Sequence, residues 1–269
     1  MVRILITGAA GGLGSLLRDR MKGEQVTLRL SDVAELGEAG ENEELVQCDL
    51  GDMSAVLKLV KDCDFIIHLG GIAKENSFEK ILNGNIVGTY NIYEAARRAG
   101  VKRIFFASSN HAMGAYEVGE IVDTEMPFRP DSFYGVSKCF GEVLARYYYD
   151  KYGIESACVR IGSCFEPPTE KRMLATWLSF DDLVSLVKRV QEIEHLGFQT
   201  IFAVSDNAKN WWDNSLAEGL GWQPKDSVDK YTDDPSLIEE ETEIAARLHG
   251  GVYNADGHFD DNNSGSRTV

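Results

Sequence analysis

The chain has 269 residues, 43% of them hydrophobic and 10% aromatic, enough to bury the core of one large domain with or without a small appendage. Its 43 Asp and Glu residues against 27 Lys and Arg residues give a formal net charge of -16, which disfavours nucleic acids and anionic membrane surfaces as partners. The apolar run at the N-terminus is too short for a signal peptide, and no stretch reaches the roughly 20 apolar residues of a membrane helix, so we expect a soluble, cytoplasmic protein.

The cysteines predict neither a disulfide framework nor a metal site. Their number is odd, they are scattered, and no Cys-x-x-Cys pair occurs. They are Cys48, Cys63, Cys139, Cys158 and Cys164.

The first element in the chain is a predicted strand, Val2–Thr7, followed by a glycine-rich turn and a helical pattern. The turn reads Gly8-Ala-Ala-Gly-Gly-Leu-Gly14. Glycines let the backbone lie close to a pyrophosphate, whose charge then sits among free N–H groups at the helix N-terminus. The spacing differs from Gly-x-Gly-x-x-Gly, and an ordinary tight turn is the alternative.

The second predicted strand, Val26–Leu30, is followed by Asp32, close to 20 residues beyond the glycine turn. A carboxylate at that place accepts hydrogen bonds from both hydroxyls of an adenosine ribose and repels a 2′-phosphate, which favours NAD over NADP. A plain turn with Ser31 is equally compatible with an aspartate there. Because Arg29 lies nearby in the sequence, NADP is not excluded as the cofactor.

Two further segments predict backbone close to the same ligand. Asp49, after a short apolar run, either meets an adenine or ends a strand, and a helix is predicted at Ser54–Val60. The apolar strand at Phe65–Leu69 ends in Gly70 and Gly71, which allow close approach of a ligand. His68 in that strand is predicted to be a core histidine with satisfied hydrogen bonds.

A long helical pattern covers Phe78–Ala99, with Tyr90 among its expected buried positions. Asn85 inside it is expected to hold a water or a backbone group, with a polar helix face as the alternative. A fifth strand is predicted at Val101–Ala107, with Ser108-Ser-Asn-His111 at its carboxyl end, where parallel sheets bind ligands.

The next helix, Phe133–Tyr152, carries a phenol and an ammonium four residues apart, Tyr134 and Lys138. That spacing places both on one helix face, about one turn apart. A neighbouring cation lowers the pKa of a phenol, so the pair predicts an acid/base. The pattern is common by chance, and it gains weight only from the glycine turn and Ser109.

Alternation of strand and helix up to a sixth strand, Ser156–Ile161, predicts an α/β fold with a Rossmann-like, doubly wound parallel sheet. We expect a core at residues 1–165, and a small C-terminal substrate-binding cap at 166–259 that includes Arg172, a helix at Asp181–Ile193 and a strand at Thr200–Val204. Residues 260–269 are expected to form a mobile tail.

Taken together, these motifs resemble the extended short-chain dehydrogenase/reductase family over residues 1 to about 165. Further segments look most like members that oxidise uronic acids, over nearly the whole chain. They are His68-Leu-Gly-Gly71, Ser108-Ser-Asn-His111, Tyr134-Gly-Val-Ser-Lys-Cys-Phe-Gly-Glu142, Arg160-Ile-Gly-Ser-Cys164, Arg172-Met-Leu and Trp211-Trp-Asp-Asn214.

The resemblance implies an NAD-dependent oxidation of glucuronate or galacturonate at carbon 1 to an aldarolactone, without a metal, by a homo-oligomer. The expected catalytic residues are Tyr134 as general base, Lys138 and Ser109. The expected cofactor contacts are Gly8, Gly11, Gly12, Leu13, Gly14, Asp32, Asp49, Leu50, Leu69, Gly70, Gly71, Asn85, Tyr134, Lys138 and Ile161. The expected substrate contacts are Ala73, Ser109, Asn110, His111, Tyr134, Ser163 and Arg172.

Two of the substrate positions leave questions open. Arg172 is expected to bind the substrate carboxylate bidentately, with a solvated loop arginine as the alternative. Ala73 stands where a related enzyme has a serine, so no hydroxyl contact is expected there.

Two other functions compete with the dehydrogenase. A nucleotide-sugar epimerase or dehydratase would use the same fold but usually carries a larger C-terminal substrate region. A non-catalytic dinucleotide sensor would have no need of the proton acceptor formed by Ser109, Tyr134 and Lys138.

Overall fold

The computed structural model describes residues 2–239 and 242–259, and its centre is a parallel sheet of seven strands. The strand order is β3-β2-β1-β4-β5-β7-β8, and the strands β6 and β9 form a separate two-stranded sheet. The strands are β1 (Val2–Thr7), β2 (Val26–Asp32), β3 (Glu43–Gln47), β4 (Phe65–His68), β5 (Arg103–Ser109), β6 (Val122–Asp123), β7 (Glu155–Ile161), β8 (Phe198–Ala203) and β9 (Trp212–Asp213). The predicted Rossmann-like α/β fold is confirmed.

Helices cover both faces of the main sheet. They are α1 (Gly12–Arg20), α2 (Met53–Val60), α3 (Phe78–Ile81), α4 (Gly88–Ala99), α5 (Phe133–Tyr152), α6 (Met173–Thr176), α7 (Phe180–Glu192), α8 (Glu243–Arg247) and α9 (Val252–Ala255). The segment Leu82–Val87, between α3 and α4, is π-helical. No helix in the described parts of the chain has the length and apolar character needed to span a bilayer.

The alternating side chains of β1 show how the two-sided core forms. Ile4 and Ile6 belong to one buried cluster together with Leu17 of α1 and the apolar residues of α7. Leu5 belongs to the cluster on the opposite face, with the apolar residues of α2 and α4. Because successive strand residues point to opposite faces, one short apolar strand contributes to both cores.

The C-terminal strand of the predicted cap belongs to the main sheet. Strand β8 pairs with β7 in parallel from Ser156 opposite Phe198 to Ile161 opposite Ala203, and the residues of α7 lie in the core cluster shared with β1. The sheet therefore extends beyond residue 165, and the buried apolar residues of α7 and β8 are covered in the same way as those of the earlier units. A division into two units stays a prediction, and the predicted mobile tail at 260–269 lies outside the described residues.

One expected core position is wrong. Tyr90 is 44% exposed, whereas Ile81 and Ile92 are buried as the pattern predicts. Tyr90 and Ile92 lie two residues apart on α4, about 200° around the helix axis, so the helix that buries Ile92 turns Tyr90 outward.

Helix α5 is fixed to the sheet by a buried ion pair. Arg160 of β7 donates from Nε and Nη2 to the two carboxylate oxygens of Glu142 at 3.0 and 2.9 Å, and Ser108 of β5 donates to the same carboxylate. Both charged side chains are at least 96% buried. One carboxylate thus ties the helix to two neighbouring strands.

We expect Glu142→Gln to lower the free energy of unfolding by roughly 3–5 kcal/mol, because the guanidinium of Arg160 stays buried without its counter-charge. Urea unfolding measures this loss. The matched control on the same helix is Asp150→Asn, which breaks the exposed pair with Arg146 and should change stability by no more than about 1 kcal/mol. Equal effects of the two substitutions would contradict the structural role of Glu142.

Candidate active site

The glycine turn forms a cradle at the carboxyl end of β1. Gly8 has φ +72°, and a Cβ there would lie 2.9 Å from the backbone nitrogen of Gly70, so β1 and β4 can approach each other only through glycine. A Cβ on Gly14 would lie 2.1 Å from the carbonyl oxygen of Gly8, whereas a Cβ on Gly12 would meet no atom within 4 Å. The turn is therefore tightly packed at Gly8 and Gly14 and open at Gly12.

The N-terminus of α1 faces this opening. The N-cap residue is Gly11, which has no side chain to accept a hydrogen bond from the first N–H groups, and the first turn of the helix carries no acidic residue. The backbone N–H groups of Gly12 and Leu13 and the helix dipole are suited to an anionic group such as a pyrophosphate. The residues present thus fit the diphosphate of a dinucleotide.

Asp32 lies at the rim of the same cleft. Its Oδ2 accepts a hydrogen bond from the backbone N–H of Ala10 at 3.0 Å, and its Oδ1 accepts one from Ala34 at 3.1 Å. The bond to Ala34 closes a local turn after Asp32, not the turn with Ser31 that the sequence left as an alternative, and the bond to Ala10 joins the carboxylate to the glycine turn. Both oxygens keep lone pairs for ribose hydroxyls.

Six of the residues expected to contact the cofactor line this one cleft between β1, β2 and β4. They are Gly8, Asp32, Asp49, Leu50, Gly70 and Gly71. Arg29 does not reach it, because its Nε donates to Glu44 at 2.6 Å and its Nη1 donates to the carbonyls of Leu59 and Lys61. Arg29, because of which NADP was not excluded as the cofactor, is therefore hydrogen-bonded to groups outside this cleft.

Asn85 holds a backbone group of the loop after β4. Its Oδ1 accepts from the N–H of Ile72 at 2.7 Å, and its Nδ2 donates to the carbonyl of Ile72 and to Ser137 Oγ, each at 3.0 Å. His68 is a core histidine, as predicted, with ring nitrogens 2.8 and 3.2 Å from the hydroxyls of Thr7 and Thr89. Thr7 Oγ1 also accepts from Gly70 N, so these side chains fix the glycine loop.

Tyr134 and Lys138 are brought together with Ser109, as the sequence predicted. Tyr134 and Lys138 are each 8% exposed, and the ammonium nitrogen of Lys138 lies 5.3 Å from the centre of the Tyr134 ring. Ser109, at the end of β5, hydrogen-bonds the phenol of Tyr134. The proton-handling groups therefore meet at the carboxyl edge of the sheet.

The electrostatics differ from the simple expectation of a lowered phenol pKa. Burial raises the pKa of Tyr134 to about 12, and the hydrogen bond with Ser109 only partly opposes that shift. Burial also lowers the pKa of Lys138 to about 8. Its Nζ donates to the carbonyl of Ala107 at 2.7 Å. Desolvation thus disfavours charge on both groups.

The expected substrate residues lie beside this pair. With its amide oriented to satisfy both neighbours, Asn110 donates to the carbonyl of Ile161 at 3.0 Å and accepts from Arg172 Nη2 at 2.9 Å. Arg172 also donates from Nε to the carbonyl of His249 at 2.8 Å. Ser163 exchanges a hydrogen bond with Thr176 at 2.9 Å. Arg172 is therefore held at the site through Asn110.

Two residues outside any recognised sequence motif complete this side of the site. Asp131 pairs with His111 Nδ1 at 2.7 Å, and its carboxylate is fully buried. The ring of Tyr253, from α9, stacks on His111 with centroids 3.9 Å apart and lies 6.4 Å from the ring of Tyr134. Neither residue belongs to a recognisable motif, and only the folded chain brings them here.

The remaining predicted positions are placed as follows. Ala73 is exposed on the loop after Gly71, and Leu69 packs against the core beside α1. Within the described residues, no group of three or more His, Cys, Asp or Glu side chains is arranged to hold a metal ion.

Comparisons with known proteins give one family and a set of near relatives. The sequence profile described as "NAD dependent epimerase/dehydratase family" matches residues 4–179. A protein of Pseudomonas putida named uronate dehydrogenase is 47% identical, covering 96% of this chain and 97% of its own length.

Two solved structures are similar over almost the entire fold. A mutant of uronate dehydrogenase from Agrobacterium tumefaciens, complexed with NAD, is 48% identical with a TM-score of 0.93, covering 96% of this chain and 99% of that one. Glucuronic acid dehydrogenase from Chromohalobacter salexigens is 49% identical with a TM-score of 0.92, covering 97% and 99%.

The buried ammonium of Lys138 predicts a pH dependence of stability. Its native pKa of about 8 lies below the usual 10.5. Between these values the unfolded chain binds more protons, so the contribution of this group to stability rises as pH increases from about 8 to 10.5.

We therefore expect the stability of the wild-type protein relative to Lys138→Met to rise over that interval, as measured by urea unfolding without ligands. Tyr134 is common to both proteins, so its ionisation affects both. A stability difference independent of pH would show that the ammonium is not desolvated.

Proposed function

This chain belongs to the NAD dependent epimerase/dehydratase family, and from that premise we propose that it oxidises a hexuronic acid, glucuronate or galacturonate, at carbon 1 with NAD, giving an aldarolactone. The observation that carries the proposal is the buried triad of Ser109, Tyr134 and Lys138, with Arg172 tied in beside it through Asn110. The names of relatives that are 47% and 49% identical over almost the whole chain support the same substrate class.

Bound NAD would accept the hydride that leaves carbon 1 of the sugar. Tyr134 takes the proton from the hydroxyl on that carbon, and Ser109 hydrogen-bonds the same oxygen while the new C=O bond forms. Because burial raises the pKa of Tyr134 to about 12, the phenol acts as a base only when positive charge lies near it. The ammonium of Lys138 supplies part of that charge. Its bond to Ala107 holds its position.

The residues of the first cleft would hold the cofactor. The N–H groups at the start of α1 suit the diphosphate, and Asp32 suits the ribose hydroxyls. Since Arg29 is engaged with Glu44 and two carbonyls, the preference is for NAD over NADP.

The substrate carboxylate is assigned to Arg172. A guanidinium binds a carboxylate through two parallel hydrogen bonds, which fixes the orientation of the sugar as well as its charge. Asn110, His111 and Ser163 read ring hydroxyls. Ala73 offers no hydroxyl, so the preference between glucuronate and galacturonate rests on the other contacts.

The epimerase and sensor alternatives are less well supported. A nucleotide-sugar epimerase or dehydratase shares the family, but the strand and helix that follow residue 165 complete the sheet and leave fewer residues to bind a nucleotide. A sensor would gain nothing from a buried, hydrogen-bonded phenol and ammonium.

The proposal includes a homo-oligomer in the cytoplasm. Apolar residues lie exposed along one stripe of α5, at Val136, Val143 and Tyr147, with Tyr90 of α4 also exposed. A second copy of this chain packed against α4 and α5 would bury these apolar side chains. All five cysteines are free thiols, as in a reducing compartment.

A panel of sugars screened for NADH production tests the function. We expect NADH from glucuronate or galacturonate, little from glucose or galactose, and none from nucleotide sugars. Tyr134→Phe should lower turnover about a hundredfold to ten-thousandfold, because the proton acceptor is lost while the ring still fills its place. No net NADH from uronates, with NAD retained on the purified protein, would favour the epimerase instead.

Arg172→Ala should weaken uronate binding by about 2 to 5 kcal/mol if the ion pair is desolvated. The measurement is KM for a uronate beside KM for the matching neutral aldose. Arg172→Lys, which keeps the charge without the planar fork, should recover part of the loss. An unchanged KM for the uronate would mean that another residue binds the carboxylate.

Val143→Asp should disrupt self-association, because it places a charge on the exposed apolar stripe of α5. Sedimentation equilibrium compares it with the wild type. A wild-type protein that is monomeric at micromolar concentration would contradict the homo-oligomer.

A further inference from the structure

The backbone of Tyr134 is held on one side by Glu75, from a distant loop, and on the other side by Ser137 of its own helix. Glu75, on the loop after β4, accepts hydrogen bonds from the N–H of Phe133 at Oε1 (3.1 Å) and from the N–H of Tyr134 at Oε2 (2.8 Å). On the other side, Ser137 Oγ donates to the carbonyl of Tyr134 at 2.6 Å. Asn85 in turn donates to that Ser137 hydroxyl.

The contacts of Glu75 complete the cap of α5. Ser132, the N-cap residue, accepts a hydrogen bond from the N–H of Gly135. Glu75 accepts those from the two preceding N–H groups of the helix, at Phe133 and Tyr134. The first N–H groups of a helix have no partner within the helix, and a carboxylate there also interacts favourably with the helix dipole. A cap usually comes from the residue next to the helix; here half of it comes from another loop.

That loop also borders the cleft that the proposed function assigns to the cofactor. Gly70 and Gly71 at its start line this cleft, and Ala73, two residues further on, is exposed. The same Asn85 that bonds Ser137 holds Ile72 of this loop by two hydrogen bonds. Two sets of hydrogen bonds therefore join the loop to the N-terminus of α5, one through Glu75 and one through Asn85 and Ser137. Both reach the backbone of Tyr134.

We propose that Glu75 is a positioning residue for Tyr134, which couples the ligand-binding loop 70–77 to the placement of the phenol. This inference rests on the proposed function, since it assigns Tyr134 the role of base. Glu75 acts through the backbone of Tyr134, so its loss moves the phenol and leaves the nucleotide cleft and Arg172 in place. A displaced base slows the chemical step more than it weakens binding.

The experiment compares Glu75→Ala and Glu75→Gln with Glu79→Ala, which removes an exposed glutamate of α3, a few residues along the chain. For each protein, kcat and KM for a uronate, the NAD Kd, the thermal midpoint and the deuterium isotope effect on kcat with C1-deuterated substrate are measured.

We expect kcat of Glu75→Ala to fall by about tenfold or more, with a larger isotope effect, while KM and the NAD Kd stay within about twofold of the wild type. Glu75→Gln, which keeps one acceptor oxygen and the shape of the side chain, should recover part of kcat. Glu79→Ala should match the wild type.

Two results overturn the inference. One is a Glu75→Ala protein whose kcat matches that of Glu79→Ala. The other is a loss of kcat that the folded fraction accounts for entirely, with an unchanged isotope effect, which would make Glu75 merely structural. If the wild-type protein itself does not oxidise uronates, the proposed function fails, and that outcome is visible before any variant is compared.

Discussion

Burial of helix α5 against the carboxyl ends of β5 and β7 is the constraint on which the site depends. The Glu142–Arg160 ion pair fixes the middle of the helix, and the bond from Lys138 to Ala107 fixes the turn before it. With the helix held in this way, Tyr134 faces Ser109 at the edge of the sheet. Removal of either anchor would move the phenol relative to the cleft.

The same burial sets the chemistry. It raises the pKa of Tyr134 to about 12 and lowers that of Lys138 to about 8, so the protein interior alone favours an uncharged phenol. A cationic group brought into the cleft favours the phenolate. Under the proposed function, Tyr134 would be activated as a base only where an electron acceptor with positive charge is also bound, which would link proton removal to oxidation in one place.

The sequence predicted the fold and the placement of Ser109 beside Tyr134 because both depend on short, regular patterns. The strand β1, the helix at Phe133–Tyr152 and the meeting of Ser109 with Tyr134 follow from periodicity and from the position of strand ends. The exposure of Tyr90 was missed because it lies about 200° around α4 from the buried Ile92, so the two side chains cannot share one buried face. Strand β8 was assigned to a cap because a short apolar run does not reveal its partner strand.

Tertiary contacts between distant parts of the chain bring three further residues to the site, namely Asp131, Tyr253 and Glu75. Such contacts cannot be predicted from a local sequence pattern. The pKa of Tyr134 was also misjudged, since spacing shows that Lys138 is near but gives no measure of desolvation.

The most direct test is a crystal structure of the protein with NAD and a uronate or its lactone bound. We expect Tyr134 Oη and Ser109 Oγ both to lie within about 2.6–3.2 Å of the same oxygen on carbon 1 of the sugar. A complex in which another side chain contacts that oxygen, with the phenol of Tyr134 turned away from the sugar, would contradict it.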